Sequence, residues 1–393
     1  MLNAYIADYL RTPFSRSKPK EPEKDVYNGL RMDEALASLI RALVQRNGID
    51  PVDIGDVITG CAFQVTENWS YGGRHPVLLA GLPVRVPGMS IDRACSSSMA
   101  ALATGAMEIE TGNSEIVLAG GMEHMTHVPL GDNPHIAPNY RLLIRPEFMK
   151  YDMNVGYSMG LTAEKLAEIS GIGREEMDQW AYRSHGLASA SVEWLAEELL
   201  PVNVEHGGKA VTIDRDQSIR PDTTIEQIRS LPPSFKQGGA ITAGNSSPLN
   251  AGASLVMLAS DRMIQKYGLR PIARVKSAGW AGVEPDLMGK GPVPASRKAL
   301  ERAGLKVGDI DFWEINEAFA VVTLYAIREL GIDPERVNVH GGAIAIGHPL
   351  GASGARITGT LARILRERKG RYGVATLCVG GGQGYSVVLE AVD

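Results

Sequence analysis

The stretch GIDPVDIGDVIT at residues 48–59 has a counterpart in GLKVGDIDFWEI at residues 304–315. In both places a helix pattern precedes the glycine and an apolar strand pattern follows it. A second pair is IVLAGG at residues 116–121 and VATLCVGG at residues 374–381, which are apolar strands closed by glycines. A period this long between the repeated strings indicates duplicated domains rather than a solenoid, so the sequence predicts two similar α/β halves.

Other patterns place individual elements in these halves. Apolar residues at helical spacing predict helices, and short apolar runs predict strands. The predicted helices lie at residues 32–45, 97–111, 163–170 and 175–199, and the predicted strands at 4–7, 56–59 and 115–119.

The segment at about 122–245 breaks the alternation of strands and helices. It begins with a proline-rich run and continues with amphipathic helices, so we predict an insertion of loops and helices on top of a sheet. The predicted domains are an N-terminal half at residues 1–265, which contains this insertion, and a C-terminal half at residues 266–393.

The 393-residue chain has a net charge of −5, with 44% hydrophobic and 22% charged residues. This composition is ordinary for a soluble globular protein of about two to three domains, and the mild acidity argues against a nucleic-acid partner. No apolar stretch reaches membrane-spanning length, the N-terminus lacks a secretory pattern, and the last three residues are not a peroxisomal signal. We therefore expect a cytoplasmic enzyme.

Cys95 is the first candidate catalytic residue, in DRACSSSM at residues 92–99, directly before a helix of small residues. A thiolate there faces unpaired backbone N–H groups and the positive end of the helix dipole. Both are expected to lower its pKa and to make it a nucleophile. The alternative is a buried structural cysteine. The three cysteines of the chain have neither the number of a disulfide framework nor the spacing of a zinc site.

His348 stands alone in a glycine-rich loop, GGAIAIGHPLGASG at residues 341–354. Its neighbours are apolar or small, so this imidazole is a candidate base for a thiol. The alternatives are a histidine of the core or a phosphate-binding loop, although the string lacks the Gly-Lys-Ser/Thr ending of a P-loop.

Two more polar side chains lie at the ends of apolar strands. Cys378 precedes a glycine run in LCVGGGQG, residues 377–384, where exposed backbone N–H groups can approach a substrate. The run lacks the Gly-x-Gly-x-x-Gly spacing of a nicotinamide-binding turn. Asn316 begins NEAFA, residues 316–320, between a strand and a helix, where it is alternatively a helix cap.

These four strings, in this order and over essentially the whole chain, resemble the signatures of the thiolase family. The resemblance implies a thiolase-like α/β fold, in which two duplicated halves form a layered αβαβα core with a loop domain inserted. It also implies an acyltransferase that cleaves a 3-oxoacyl-CoA with coenzyme A (CoA), giving acetyl-CoA and a shortened acyl-CoA. CoA and acetyl-CoA are then substrates, and no permanently bound cofactor or metal is expected.

The resemblance assigns a role to each candidate. Cys95 is the acylated nucleophile, and His348 activates it and helps to bind the thioester oxygen. Cys378 moves the proton of the acetyl carbon. Asn316 holds a water that completes one oxyanion site, and the backbone N–H groups of Cys95 and Gly380 form the other. Breaking a carbon–carbon bond requires both an attacking thiolate and an acid for the leaving carbanion, which explains the need for two cysteines.

Four more residues are implied to contact CoA. Arg220 lies near the nucleotide, where a fixed cation suits a phosphate or an adenine face. Ser247, in GNSSP at residues 244–248, contacts the pantetheine arm. Met159, at the start of MGLTAE, and Phe319, in NEAFA, are assigned to the same ligand. For Arg220 the alternative is a solvated surface residue.

The chain departs from the family pattern at two positions. Ala251 stands where an aspartate is usual, which is expected to alter loop packing and leave the catalytic residues intact. Ser158 stands where thiolases that make acetoacetyl-CoA often carry histidine. Together with the strings GLT at residues 160–162 and GPVPAS at residues 291–296, this favours the degradative 3-ketoacyl-CoA branch, which serves fatty-acid β-oxidation.

Three alternatives remain open: an acetyl-CoA C-acetyltransferase, a decarboxylating 3-oxoacyl synthase, and a non-catalytic acyl-CoA or lipid carrier. The synthases normally use one cysteine and the carriers tend to lose a catalytic residue, so Cys378 and Asn316 favour a thiolase. The family generally forms homodimers or homotetramers, and a degradative member often works beside a hydratase/dehydrogenase.

Overall fold

The computed structural model describes residues 3–131 and 133–392. The strands are β1 Ala4–Arg11, β2 Ser15–Arg16, β3 Asp56–Gly60, β4 Met89–Ile91, β5 Ile116–His124, β6 Val202–His206, β7 Lys209–Ile213, β8 Asn250–Ser260, β9 Ala273–Gly282, β10 Phe312–Ile315, β11 Tyr372–Val379 and β12 Gln383–Ala391. The helices are α1 Met32–Arg46, α2 Arg74–Leu79, α3 Ser97–Thr111, α4 Arg141–Ile144, α5 Met153–Gly156, α6 Met159–Ser170, α7 Arg174–Ala190, α8 Val192–Ala196, α9 Ile225–Arg229, α10 Asp261–Tyr267, α11 Pro292–Ala303, α12 Ala320–Leu330, α13 Ala343–Ile346 and α14 Leu350–Arg368. Within the described ranges, none of these helices combines the length and the apolar character needed to cross a bilayer.

The main sheet has the strand order β10-β11-β12-β9-β1-β8-β5-β3-β4, and β2 pairs with β8 as its tenth strand. In the first half, β8 pairs antiparallel with both β1 and β5, and β3 runs parallel to β5. In the second half, β12 pairs antiparallel with both β9 and β11, and β10 runs parallel to β11. Four strands of each half correspond in order and direction: β1, β8, β5 and β3 match β9, β12, β11 and β10, whereas β2 and β4 have no counterpart. The duplication predicted from the sequence is therefore confirmed.

The repeated stretches occupy equivalent places in the two halves. Residues 48–54 lead from α1 through a 3₁₀ turn into β3, and residues 304–310 lead from α11 through a 3₁₀ turn into β10. The second repeat lies in β5 and β11, the parallel neighbours of β3 and β10.

Alternate residues of the strands face different layers of the core. In β5, Val117 and Ala119 pack in the cluster that contains α3 and α14, whereas Ile116 and Leu118 pack in the cluster that contains α1. This alternation is the strand period of two. Helix α11 packs on the second half through contacts with β9 and β12. The two halves of the sheet are joined only by the short β1–β9 pairing, and α14 contacts strands of both. The layers are therefore helix, half-sheet, paired helices, half-sheet, helix, which is the predicted fold class.

Helices α3 and α14 contact each other at the centre of the molecule. Small residues allow this approach: a Cβ atom at Gly354 would lie 2.4 Å from Met99 N. Because α3 begins two residues after Cys95 and α14 begins two residues after His348, their packing determines where both residues lie.

The insertion lies between β5 and β8 and contains α4 to α9 and the hairpin β6–β7, which the sequence did not predict. The prediction of one helix at residues 175–199 was wrong, because α7 ends at Ala190 and α8 begins at Val192. At the break, Ser191 Oγ hydrogen-bonds His340 Nδ1 at 2.8 Å. A serine hydroxyl that bonds elsewhere competes with the helix, and this long-range partner is invisible in the local pattern.

Candidate active site

A cavity of about 1230 Å³ is lined by residues from both halves and from the insertion. Eight of the nine predicted site residues line it: Cys95, Met159, Arg220, Ser247, Phe319, His348, Cys378 and Gly380. The ninth, Asn316, contacts the ring of His348 instead of lining the cavity. The fold therefore brings together residues that are up to 285 positions apart (95 to 380).

A tight turn holds Cys95 at the cavity wall. Ala94 has a φ of 43°, a left-handed conformation that is strained for a residue other than glycine. The Ser97 hydroxyl stabilises the turn, because it accepts a hydrogen bond from Arg93 N at 2.9 Å and donates one to Ala94 O at 2.7 Å. The turn therefore fixes the thiol relative to the start of α3.

The expected low pKa of Cys95 was wrong. Burial raises the pKa of this thiol to about 11, although hydrogen bonds from the backbone of Gly380 and of Cys95 itself oppose the rise. The desolvation of a buried thiolate therefore outweighs the helix end and the N–H donors. A thiol in this state requires a base to remove its proton.

His348 is held in one orientation by its backbone and its ring. His348 N donates to Asn250 Oδ1 at 2.8 Å, and Nδ1 lies 2.6 Å from Ser353 Oγ. Since the Ser353 hydroxyl donates to Pro349 O at 2.9 Å, it accepts from Nδ1–H. This tautomer leaves Nε2 unprotonated, with the lone pair that a base requires.

Gly347 allows the Asn250 contact. Its φ is 119°, and a Cβ atom there would lie 2.8 Å from Asn250 Cγ.

Burial, and secondly the charge of Arg356, lower the pKa of His348 to about 3. The imidazole is therefore neutral at physiological pH.

Asn316 lies at the end of β10, where its N–H donates to Thr376 O at 2.9 Å. Its Nδ2 is 3.3 Å from His348 Nε2. Its Oδ1 is buried and has no hydrogen-bond partner among the described residues. Asn316 is therefore close enough to act together with His348, and its carbonyl oxygen can accept a further hydrogen bond.

Cys378 and Gly380 approach Cys95 from the end of β11. The pKa of the Cys378 thiol is raised by burial and then by the charge of Cys95, so the two cysteines interact. A Cβ atom at Gly380 would lie 3.6 Å from Met159 Sδ and 3.9 Å from Ala94 Cβ. The backbone of Gly380 therefore faces the turn that carries Cys95.

Glu317, next to Asn316, was not predicted as a functional residue although it lies in the NEAFA string. Its Oε1 accepts from Trp180 Nε1 at 2.9 Å and from Asn338 Nδ2 at 2.9 Å. Its Oε2 accepts from Ser184 Oγ at 2.7 Å and from Ile344 N at 3.1 Å. This buried carboxylate thus ties α7 of the insertion to the loop that leads to His348.

We expect Glu317→Gln to lower the free energy of unfolding by about 2–4 kcal/mol, because one amide NH₂ would face two buried donors that lose their acceptor. Urea denaturation followed by tryptophan fluorescence measures this change. Glu329→Gln is the matched control, because Glu329 is exposed at the end of α12. Equal stability of the two variants would contradict the structural role of Glu317.

Glu123 is a second carboxylate that the sequence did not single out. It accepts hydrogen bonds from Ala62 N and Gly351 N, both at 2.9 Å. Burial raises its pKa to about 7. It joins the end of β3 to the start of α14 and so supports the segment that follows His348.

Ala251, the departure from the family pattern, is buried in β8 opposite Ser15.

The cavity defines a cysteine-dependent acyl-transfer site. It contains two thiols, a neutral imidazole with one unprotonated nitrogen, and backbone N–H groups. Comparisons with known proteins agree. Residues 4–262 match the N-terminal domain of thiolase and residues 269–391 match the C-terminal domain. Proteins named 3-ketoacyl-CoA thiolase from Marinobacter nauticus and Saccharophagus degradans are each 42% identical, covering 98% of both chains. One from Vibrio vulnificus is 42% identical over 99% of this chain and 100% of its own. The chain belongs to the thiolase family and is an acyltransferase.

Proposed function

We propose that this chain is a degradative 3-ketoacyl-CoA thiolase, which cleaves a 3-oxoacyl-CoA with CoA into acetyl-CoA and a shortened acyl-CoA. One observation carries the proposal: two thiols with different surroundings, Cys95 and Cys378, line the same cavity as His348. A thioester hydrolase needs only one nucleophilic thiol, whereas cleavage next to a ketone also needs an acid for the carbanion.

In the first half-reaction, His348 Nε2 takes the proton of the Cys95 thiol, and the sulfur attacks the keto carbon of the substrate. The bond between that carbon and the acetyl carbon breaks, and the electron pair goes to the acetyl carbon. The Cys378 thiol gives its proton to this carbon, so acetyl-CoA leaves. The products on the enzyme are an acyl-Cys95 thioester, an imidazolium and a Cys378 thiolate.

In the second half-reaction, the Cys378 thiolate takes the proton of the incoming CoA thiol. The CoA sulfur attacks the acyl-Cys95 carbonyl, and the Cys95 sulfur leaves and regains its proton from His348. Negative charge develops on a carbonyl oxygen in both half-reactions. The backbone N–H groups of Gly380 and Cys95, and His348 with Asn316, are suited to stabilise it.

Brief exposure to acetyl-CoA should add one acetyl group to the protein, on the peptide that contains Cys95. The reverse of the second half-reaction forms this thioester and needs no carbon–carbon bond. Intact-mass measurement and peptide mapping locate the label. The control is Cys95→Ser, which should take up none under the same brief exposure. A label on Cys61 would contradict the mechanism.

A substrate profile separates the degradative branch from an acetyl-CoA C-acetyltransferase. Thiolysis of 3-oxoacyl-CoAs of increasing length should continue beyond acetoacetyl-CoA. Activity confined to acetoacetyl-CoA would favour the acetyltransferase, and its absence with every substrate would favour a non-catalytic carrier. The size of the cavity, about 1230 Å³, supports room for an acyl chain beside the CoA arm.

The organisation of the chain is part of the same proposal. A boundary near residue 265 is supported by the two family matches, which end and begin at 262 and 269. A homodimer or homotetramer in the cytoplasm, with a hydratase/dehydrogenase as a partner, belongs to the proposal, and family membership supports the assembly. Sedimentation velocity tests the assembly, and a monomer at micromolar concentration would contradict it.

A further inference from the structure

One part of the cavity wall, away from the thiols in sequence, contains two arginines and a histidine. Arg16 of β2, His185 of α7 and Arg220 of the loop after β7 all line the cavity. They come from three elements that are separated by more than 30 residues along the chain, so no local pattern brings them together. Ser17, the neighbour of Arg16, lines the same wall.

The two arginines are not neutralised by carboxylates. Among the described residues, neither Arg16 nor Arg220 forms an ion pair. The buried carboxylate of Asp216 precedes Arg220 in the sequence. It is already bound by Arg11 through two contacts of 2.7 and 2.8 Å. Asp222 lines the same cavity and is exposed. The charges also repel one another, because burial and then Arg220 lower the pKa of Arg16.

Two buried polar atoms beside these arginines lack partners. Ser17 is 6% exposed and His185 is 7% exposed, and both Ser17 Oγ and His185 Nδ1 are without a hydrogen bond among the described residues. Burial, then Arg220 and Arg16, lower the pKa of His185 to about 4, so the ring is neutral and can donate one N–H. An unpaired buried polar atom is costly unless a ligand satisfies it.

We propose that Arg16, Ser17, His185 and Arg220 form a subsite for an oxyanion carried by the substrate. Like charges and unpartnered donors that converge on a cavity destabilise the free protein, and a bound phosphate or carboxylate oxygen would relieve both costs. The family resemblance concerns Arg220 alone, whereas the structure adds Arg16, Ser17 and His185. The inference rests on the proposed function, because the anion is part of a CoA thioester.

Two groups of such a substrate share this chemistry: a phosphate of CoA and a carboxylate at the far end of the acyl chain. Two arginines at one wall favour a phosphate, which carries more charge and more acceptor oxygens than a carboxylate. The test therefore compares the thiolysis of four probes, each with its own thiol (CoA, dephospho-CoA or pantetheine) as the attacking thiol. The probes are acetoacetyl-CoA, acetoacetyl-dephospho-CoA, S-acetoacetyl-pantetheine, and a 3-oxoacyl-CoA that ends in a carboxylate.

The expected result is that Arg16→Gln lowers kcat/KM by about 10- to 100-fold for probes that carry the bound anion, the loss of one charge-assisted hydrogen bond. Ser17→Ala, a small change that leaves packing intact, should lower it by about 3- to 10-fold. Activity with S-acetoacetyl-pantetheine, which has neither anion, should be unaffected by both. Arg215→Gln is the control, because Arg215 is an exposed arginine five residues before Arg220 that does not line the cavity.

The pattern of losses identifies the anion. A loss with acetoacetyl-CoA that disappears with acetoacetyl-dephospho-CoA assigns the 3′-phosphate, and a loss with both assigns the diphosphate. A loss confined to the carboxylate-ended substrate assigns the acyl terminus. Equal effects on all probes, or none, would overturn the subsite while wild-type turnover of S-acetoacetyl-pantetheine still upheld the proposed function. No turnover of any probe by the wild type would reject the proposed function itself.

Discussion

His348→Ala should slow the acylation of Cys95 by about 10²- to 10⁴-fold, which is the usual contribution of a general base. The reason lies in the pKa values of the pair. Burial raises the pKa of Cys95 to about 11 and lowers that of His348 to about 3. Neither group is charged at neutral pH in the free protein, so the thiolate forms only as the imidazole takes its proton during attack.

Two measurements separate this role from a structural one. The rate of Cys95 alkylation by iodoacetamide at neutral pH should fall in His348→Ala, and the dissociation constant of CoA should stay near the wild-type value. His206→Ala is the matched control, because His206 lies in the hairpin of the insertion and does not line the cavity. An unchanged alkylation rate in His348→Ala would show that another group activates Cys95.

Local signals in the sequence indicated the two halves and singled out the candidate site residues, and the family resemblance then assigned their roles. Repeated strings marked the two halves, and Cys95, His348 and Cys378 each stand in a glycine-rich or small-residue string next to a strand or helix. Such strings are specified by backbone geometry, which requires glycine or small residues at the same places. The strand order then brings the strings to one cavity.

The errors arose where the deciding contact is distant in sequence. The pKa of Cys95 depends on burial by the whole fold, and local reasoning counted only the helix end. The break at Ser191 depends on His340, which lies 149 positions away. The sequence did not single out Arg16 and His185, because their proximity exists only after β2 and α7 reach the same wall.

Cys378→Ser should abolish most of the proton exchange at the acetyl carbon while Cys95 still accepts an acetyl group, because the CoA sulfur can leave as a thiolate without an acid and a carbanion cannot. Serine is nearly isosteric with cysteine, but its hydroxyl is a far weaker acid and base at neutral pH. The surroundings of Cys378 already raise the pKa of its thiol, first through burial and then through the charge of Cys95. It therefore holds its proton until a strongly basic carbanion forms beside it. In the reverse direction the residue must remove a proton from the acetyl methyl group, which a serine hydroxyl cannot do.

The expected loss is about 10²- to 10⁴-fold in thiolysis and in exchange of the acetyl methyl protons with solvent. Deuterium incorporation into acetyl-CoA, read by mass spectrometry, measures the exchange without any carbon–carbon bond being made. Cys61→Ser is the matched control, because Cys61 is also buried and its Sγ lies 3.4 Å from Glu123 Oε1, a contact that a hydroxyl preserves. Exchange should remain near the wild-type rate in that variant. Wild-type exchange in Cys378→Ser as well would make Cys378 a packing residue, and the two-thiol mechanism would have to be abandoned even if Cys95 were acetylated.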